Sequence, residues 1–189
     1  MSRDHGETLS NGVSGENAGV KHCGSEEISP NDTMQHMDAY VIIGERESGK
    51  SSVARSLTGS GWSSAGRKQA RLIATITVNI KVFVYPTSLQ EKKIKPEDFL
   101  DLVKEQEGCE AAMFSLRPRS GNGCDDADTY LRYFIGQGWN IVRVACLGTP
   151  VSQIATDLPN RTIRGFPRIT HTTPVNEVAA QVRSYFEWV

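Results

Sequence analysis

The chain has 189 residues, a formal net charge of −1, four cysteines and four histidines. Its length suits one domain with a substantial core plus a tail, and its near-neutral charge excludes a broad basic surface for nucleic acid. No apolar run reaches the roughly 18–20 residues of a membrane-spanning helix, and the cysteines and histidines lack zinc-site spacing. We therefore expect a protein without a transmembrane segment, in the reducing cytoplasm.

The N-terminal stretch, residues 1–37, is rich in Gly, Ser, Asn, Asp and Glu and poor in large apolar side chains. Such a composition does not bury enough apolar surface to offset the entropy lost when a chain becomes ordered. We predict a disordered tail over residues 1–37 and a folded domain over residues 38–189. A segment that docks on a partner is the alternative interpretation of the tail.

The domain opens with its most specific pattern, GERESGKS at residues 44–51. It matches G-x-x-x-x-G-K-[ST], the phosphate-binding P-loop. The apolar, β-branched residues 39–43 before it predict a buried strand, and residues 52–57 after it predict a helix that ends at Gly59. The pattern therefore lies where its mechanism requires, between a strand and a helix.

Each part of this pattern has a physical task. The glycines let the backbone curl so that successive N–H groups point at phosphate oxygens, and the helix N-terminus adds partial positive charge. Lys50 is predicted to reach the β- and γ-phosphates, and the Ser51 hydroxyl is predicted to ligate Mg²⁺. The predicted cofactor-binding residues are Gly44, Glu45, Arg46, Glu47, Ser48, Gly49, Lys50, Ser51 and Ser52.

The remaining elements alternate between strand and helix. Residues 71–78 and 80–85 are strand-like and too close together for a helix between them, so they predict an antiparallel pair or one kinked strand that ends at Pro86. The later predictions are a helix at 95–104, a strand at 111–116, a helix at 125–135, a strand at 140–147, a turn-rich segment at 148–167, a short strand at 168–171 and a helix at 175–188. This order predicts a three-layer α/β fold with a mostly parallel sheet and one antiparallel edge strand.

The order of elements over residues 38–189 is similar to that of the Ras-like small GTPases, a class of P-loop NTPases. VIIG at residues 41–44, SGKS at 48–51 and SLTG at 56–59 resemble the V-x-x-G-x-x-x-x-G-K-S-x-x-x-x-S-[IL]-x-G run of the immunity-associated GTPases of the GIMAP family. Septins and paraseptin-like GTPases share part of that run. The resemblance implies a Ras-like G domain, GTP or GDP with Mg²⁺ as ligands, and nucleotide-controlled oligomerisation. It also implies that residues 170–173 occupy the position of the base-contacting loop.

Two motifs of that family are missing. Its D-x-x-G motif, which holds Mg²⁺ and senses the γ-phosphate, should lie at residues 85–88, which read YPTS. Its N/T-K-x-D motif, which binds guanine, should lie at residues 147–150, which read LGTP, and Asp157 replaces it only if the loop folds back. Weak Mg²⁺ binding and weak or absent hydrolysis follow. Lesser candidates are Gln90 for orienting water, Arg46 and Arg67 as an arginine finger, and Ser63 and Ser64 as a metal-binding hydroxyl.

Three functions fit these patterns. The first is a GIMAP-like guanine-nucleotide-binding protein with weak or no GTP hydrolysis, which acts through contacts with protein partners or with copies of itself. The second is a P-loop kinase or ATPase, in which Arg161, Arg164 and Arg168 lie on a lid that closes on phosphates. The third is a pseudo-GTPase scaffold that binds no nucleotide. The sequence assigns no catalytic residue.

Overall fold

Strands and helices alternate along the parts of the chain that the computed structural model describes, which are residues 36–59, 69–154, 157–159 and 161–189. The strands are β1 (Asp38–Gly44), β2 (Gln69–Ala74), β3 (Asn79–Ser88), β4 (Ala111–Leu116), β5 (Asn140–Leu147) and β6 (Ile163–Phe166). The helices are α1 (Lys50–Thr58), α2 (Pro96–Lys104), α3 (Ala127–Gly136) and α4 (Val175–Tyr185). Most of the predicted tail lies outside the described residues, but Met37 is buried and its carbonyl accepts from Asn140 N at 2.9 Å.

One six-stranded sheet joins these strands in the order β2-β3-β4-β1-β5-β6. Every neighbouring pair is parallel except β2 and β3, which are antiparallel at one edge. The prediction of an α/β fold with a mostly parallel sheet and one antiparallel edge strand is confirmed. Strand β4 lies between β1 and β3, so the carboxyl ends of three parallel strands meet beside the loop that follows β1.

The two faces of the sheet carry separate apolar cores, because successive side chains of a strand point to opposite faces. On one face, Val41 and Ile43 of β1 belong to a core that includes Phe99 of α2 and Phe134 of α3. On the other face the core includes Val53 and Leu57 from α1 and Val178 and Val182 from α4. Helices therefore cover both faces, as the three-layer prediction requires.

Local sequence explains where the helices begin and end. Helix α2 starts at Pro96, whose missing N–H is no loss in a first turn, and the Asp98 carboxylate accepts from Lys95 N at 3.3 Å. Asp126 caps α3 by accepting from Thr129 N at 2.9 Å. Helix α1 ends at Gly59, which adopts the left-handed conformation as predicted.

Three predictions about the strands are wrong. The strand predicted at 71–78 is Gln69–Ala74, because residues 75–78 form the connection to β3. Strand β3 does not end at Pro86 but continues to Ser88, with an irregular register between Tyr85 and Ser88. This irregularity accommodates a residue that has no N–H to donate to the ladder. The last strand is Ile163–Phe166 rather than residues 168–171, because the β-branched Ile163 pairs with Val144 while residues 168–171 form the loop after it.

Within the described residues, no helix is both long and apolar enough to cross a bilayer.

Candidate functional site

The loop between β1 and α1 turns sharply over residues 45–49. Its backbone is left-handed at Glu47, with φ of 61°, and at Gly49, with φ of 92°. Ser48 N donates to the Glu45 carbonyl at 3.2 Å, and Gly49 is the N-cap of α1. The loop therefore curls back on itself directly before a helix N-terminus, which is the backbone geometry that favours anions.

Packing as well as backbone angle makes glycine necessary in this loop. A Cβ at Gly49 would overlap the side chain of Ile169, which follows β6 and rests on the loop. A Cβ at Gly44 would overlap Ser48 Oγ and lie 2.9 Å from the Leu147 carbonyl. Both glycines of the predicted motif are therefore positions where another part of the chain approaches the backbone closely.

Lys50 is the cation of the site, and only 4% of it is exposed. Its Nζ donates to the Glu45 carbonyl at 2.7 Å, within the same loop. Burial lowers the pKa of Lys50 from 10.5 to about 8; Arg117 adds to this lowering, whereas Glu91 and Glu45 oppose it. The fold thus holds an ammonium group in a place that costs free energy when no anion is near.

The serines of the motif differ in their surroundings. Ser48 is 1% exposed, and its Oγ has no hydrogen-bond partner among the described residues. Ser51 and Ser52 are half-buried in the first turn of α1 and line an open cavity. The Ser51 hydroxyl is therefore accessible from the side on which phosphate is predicted to lie.

This cavity, which we call the loop cavity, has a volume of about 760 Å³. It is lined by Arg46, Glu47, Gly49, Lys50, Ser51, Ser52, Glu91, Arg117, Asn122 and Ile169. Three of the predicted binding residues, Gly44, Glu45 and Ser48, do not line it. Gly44 and Ser48 are buried against each other, while the Glu45 carbonyl accepts from Lys50 and the Glu45 carboxylate pairs with Arg119 at 3.6 Å.

Sequence reasoning missed Glu91, Arg117 and Asn122. Glu91 lies in a 3₁₀ turn, Gln90–Lys92, that follows β3, and Arg117 directly follows β4. The side chains of Glu91 and Arg117 form an ion pair at 3.1 Å. The resemblance implies an acidic residue at 85–88, the predicted end of the strand, whereas Glu91 lies further along the chain because β3 continues past Pro86 to Ser88.

Gln90 connects these pieces rather than facing the cavity. Its Oε1 accepts from Ser88 Oγ at 2.9 Å and from Arg117 N at 3.0 Å. Its Nε2 donates to the carbonyls of Arg117 at 3.2 Å and Asp125 at 3.3 Å. Since Gln90 is fully buried and both ends of its amide are engaged, it is not available to orient a water molecule.

The residues at the positions where the resembling GTPases bind guanine, and the candidate replacement Asp157, have other partners. The N–H of Gly148 donates to the Phe166 carbonyl at 2.9 Å, and Thr149 is buried. Asp157 is 92% exposed, and its nearest charged partner is Arg132 of α3 at 3.4 Å. Its carboxylate is therefore directed to the surface of α3 and does not line the loop cavity.

The predicted lid arginines are not gathered at the loop cavity. Arg164 lies over the rings of Phe166 and Tyr185, at 5.4 Å and 5.9 Å from their centroids. Arg168 comes nearer, because its Nη2 donates to the Glu47 carbonyl at 3.4 Å. The candidates Ser63, Ser64 and Arg67 lie outside the described residues.

Comparison with known proteins returns no match, whether to a family model, to a curated protein or to a solved structure. Within the described residues, no group of three or more His, Cys, Asp or Glu side chains is arranged to hold a metal ion. A Mg²⁺ ion that accompanies phosphate needs fewer protein ligands, since phosphate oxygens and water complete its coordination. The Ser51 hydroxyl and the Glu91 carboxylate line the same cavity and fit that requirement.

Proposed function

We propose that the chain binds the phosphates of a nucleoside triphosphate in the loop cavity, with GTP as the first candidate, and hydrolyses it slowly or not at all. The observation that carries this proposal is Lys50, an ammonium group enclosed by a curled loop at a helix N-terminus. A buried lysine whose partner is one carbonyl is costly in a purely structural role. An anion in the cavity would remove that cost.

The chemistry follows from the residues around the loop. Lys50 exchanges the Glu45 carbonyl for phosphate oxygens, and the N–H groups at the start of α1 add further donors. The Ser51 hydroxyl is placed to ligate Mg²⁺, which supplies positive charge to the phosphates when it is bound. Glycine is required at position 49 because a Cβ there would overlap the side chain of Ile169, whose N–H donates to the Ser48 carbonyl at 3.2 Å.

Binding without rapid turnover is the expected behaviour. Hydrolysis needs a group that orients the attacking water, and Gln90, the candidate for that task, is engaged with the backbone of two other segments. The resemblance to immunity-associated GTPases supports a role in which bound nucleotide controls contacts with protein partners or with copies of the same chain.

One observation favours a second candidate function, a P-loop ATPase or kinase. Glu91 and Arg117 place a carboxylate and a guanidinium in the loop cavity, whereas Asp157, the candidate for recognising guanine, pairs with Arg132 on α3. Enzymes that transfer phosphoryl groups use such charges to stabilise the transferring phosphate. Measurement of phosphate release with ATP and with GTP separates the two candidates.

Titration calorimetry with GTP, ATP and GDP in the presence of Mg²⁺ tests the proposal. We expect micromolar binding of at least one nucleotide, loss of that binding in Lys50→Met, and unchanged binding in Lys104→Met, whose lysine is exposed on α2. The proposal fails if no nucleotide binds at about 1 mM, which corresponds to a binding free energy of about −4 kcal/mol. It also fails if Lys50→Met binds as tightly as the parent protein.

A further inference from the structure

The ion pair between Glu91 and Arg117 lines the loop cavity. Its closest atoms, Glu91 Oε1 and Arg117 Nη2, are 3.1 Å apart, and the two side chains are 31% and 20% exposed. Lys50 and Ser51 line the same cavity. The half-buried pair therefore shares the cavity with the loop that is proposed to hold phosphate.

Gln90 fixes the backbone on which both members of the pair are mounted. It precedes Glu91 in the chain, and its amide bonds both the N–H and the carbonyl of Arg117. A further bond, from Asn122 Nδ2 to the Gln90 carbonyl at 3.3 Å, ties the loop before α3 to the same point. The side chains of Glu91 and Arg117 are thus free to change partners while their main chains stay in place.

The guanidinium of Arg117 has donors to spare. One nitrogen, Nη2, contacts Glu91, while Nε is buried and has no hydrogen-bond partner among the described residues. A buried donor left without a partner costs about 1–3 kcal/mol, and a phosphate oxygen is a strong acceptor for it. This unsatisfied nitrogen indicates that the ion pair leaves part of the hydrogen-bonding capacity of Arg117 unused.

The charged side chains around the loop cavity determine whether the nucleotide binds with or without a metal ion. The charged side chains that line the loop cavity are Arg46, Lys50, Arg117, Glu47 and Glu91. A carboxylate in the same cavity as Lys50 repels a bare polyphosphate, but it attracts a divalent cation carried by that polyphosphate. Glu91 therefore favours the metal complex over the free anion.

We propose that Glu91 and Arg117 separate to receive a metal-bound terminal phosphate, the carboxylate turning to the metal and the guanidinium to the phosphate. The site then selects the Mg²⁺ complex of a nucleoside triphosphate over the metal-free nucleotide and over the diphosphate. This inference rests on the proposed function and adds to it the form in which the nucleotide binds. No covalent bond is made or broken in the exchange, since Glu91 and Arg117 only change their noncovalent contacts.

The test compares nucleotide affinity in Mg²⁺ with affinity in EDTA, using a fluorescent triphosphate analogue and the full chain. For the parent protein we expect at least about tenfold tighter binding in Mg²⁺, the size of one charge-assisted contact. Glu91→Gln should reduce this ratio to about threefold or less, because an amide oxygen is a weaker metal ligand than a carboxylate. Glu105→Gln removes the same charge from the exposed end of α2 and should keep the parent ratio.

Two further variants separate binding from folding. Glu91→Asp keeps a carboxylate on a shorter side chain and should retain part of the Mg²⁺ preference, with thermal unfolding confirming that each variant is folded. Arg117→Gln should bind the triphosphate and the diphosphate with affinities within about threefold of each other, since the variant lacks the arginine that is proposed to contact the terminal phosphate.

The possible outcomes distinguish this inference from the proposed function. If the parent protein binds nucleotide equally well in Mg²⁺ and in EDTA, or if Glu91→Gln keeps the full ratio, the inference is wrong and the proposed function stands. If the parent protein binds no nucleotide under either condition, the proposed function is wrong and the inference falls with it.

Discussion

The two ends of the proposed nucleotide site are built to different degrees. On the phosphate side, the loop at 45–49 carries left-handed residues at Glu47 and Gly49, and it encloses Lys50. On the side where a base would lie, the loop after β5 is bonded to the end of β6, and Asp157 is directed to α3. The phosphate side has hydrogen-bond donors and charged side chains that line a cavity, whereas the polar groups on the base side are bonded to other parts of the protein.

This difference shows which part of nucleotide recognition a short sequence motif can provide. Phosphate recognition relies on backbone N–H groups, a helix N-terminus and one cation, all of which follow from a loop of a few residues. Base recognition needs a side chain of the right type aimed at one edge of the base, and the fold must bring it from a distant strand. We therefore expect phosphate contacts to dominate the affinity of this protein, with modest discrimination between bases.

The largest loss of stability is expected from Gly49→Ala, which changes the loop on the phosphate side of the proposed site. The substitution combines left-handed strain of about 1–2 kcal/mol with overpacking against Ile169 of about 1–3 kcal/mol. Gly59→Ala is the matched control, because Gly59 is also left-handed but has no described atom within 4 Å of its would-be Cβ. Urea denaturation should show the larger loss for Gly49→Ala, and Ile169→Ala in the same chain should recover part of it. Equal losses at the two glycines would contradict the close packing of the loop.

Lys50→Met should stabilise the ligand-free protein at pH 7, because it replaces a buried ammonium with an apolar side chain of similar length. The folded pKa of Lys50, about 8, lies below the ordinary value of 10.5, so between these pH values the unfolded chain binds more protons than the folded one. Lys50 therefore adds up to about 3 kcal/mol of stability as the pH rises from about 8 to 10.5, whereas burial raises the pKa of Cys146 and acts in the opposite direction. The stability advantage of Lys50→Met over the parent protein, measured by denaturation, should shrink by that amount across this range, because the other groups contribute equally to both proteins.

That pH result sharpens the comparison between the two ends of the site, since it measures the stability cost of the phosphate side alone. A stability difference between Lys50→Met and the parent protein that stays constant between pH 8 and pH 10.5 would show that Lys50 is not buried as a charge.

Nucleotide affinity should move in the opposite direction with pH. Bound phosphate favours the protonated form of Lys50, so affinity is greatest below pH 8 and falls as the free protein loses that proton. The expected loss is up to about tenfold between pH 8 and pH 9, which is the limit for release of one proton. Lys50→Arg, whose guanidinium stays charged, should bind more weakly and with no such dependence. Affinity that is constant up to pH 9.5 in the parent protein would show that Lys50 keeps its proton, in contradiction to its lowered pKa.

The smallest effect is expected from Asp157→Asn on the base side. Asp157 is exposed and pairs at the surface with Arg132, so its loss should change the free energy of unfolding by less than about 0.5 kcal/mol. The ratio of GTP to ATP affinity should stay within about twofold of the parent ratio, a difference of less than about 0.5 kcal/mol. Competition binding with the two nucleotides measures this ratio. A selective loss of GTP binding would restore Asp157 as a residue that reads guanine.

The sequence predicted the elements whose signals are local. Strands β4 and β5 have the predicted bounds, because each is a continuous β-branched or apolar run that lies in the middle of a parallel sheet. The turn into α1 was predicted because its glycines and Lys50 occupy fixed offsets. These features depend on residues that are close together in the chain.

The remaining features depend on contacts between distant segments. Strand β3 continues past Pro86 because β4 pairs with Ser88, although a proline in a strand predicts that the strand ends there. Ile163–Phe166 became the last strand through pairing with β5, although residues 168–171 have similar composition. Glu91 and Arg117 reach the cavity because β4 lies between β1 and β3, an order that the succession of elements does not specify.

Competition by inorganic tripolyphosphate tests most directly the claim that phosphate contacts dominate binding. A fluorescent nucleoside triphosphate bound to the full chain in Mg²⁺ would be displaced by tripolyphosphate, by guanosine or by adenosine. We expect tripolyphosphate to compete with a dissociation constant within about tenfold of that of the nucleotide, or about 1.4 kcal/mol, and neither nucleoside to compete at about 1 mM. Displacement by a nucleoside but not by tripolyphosphate would contradict the account.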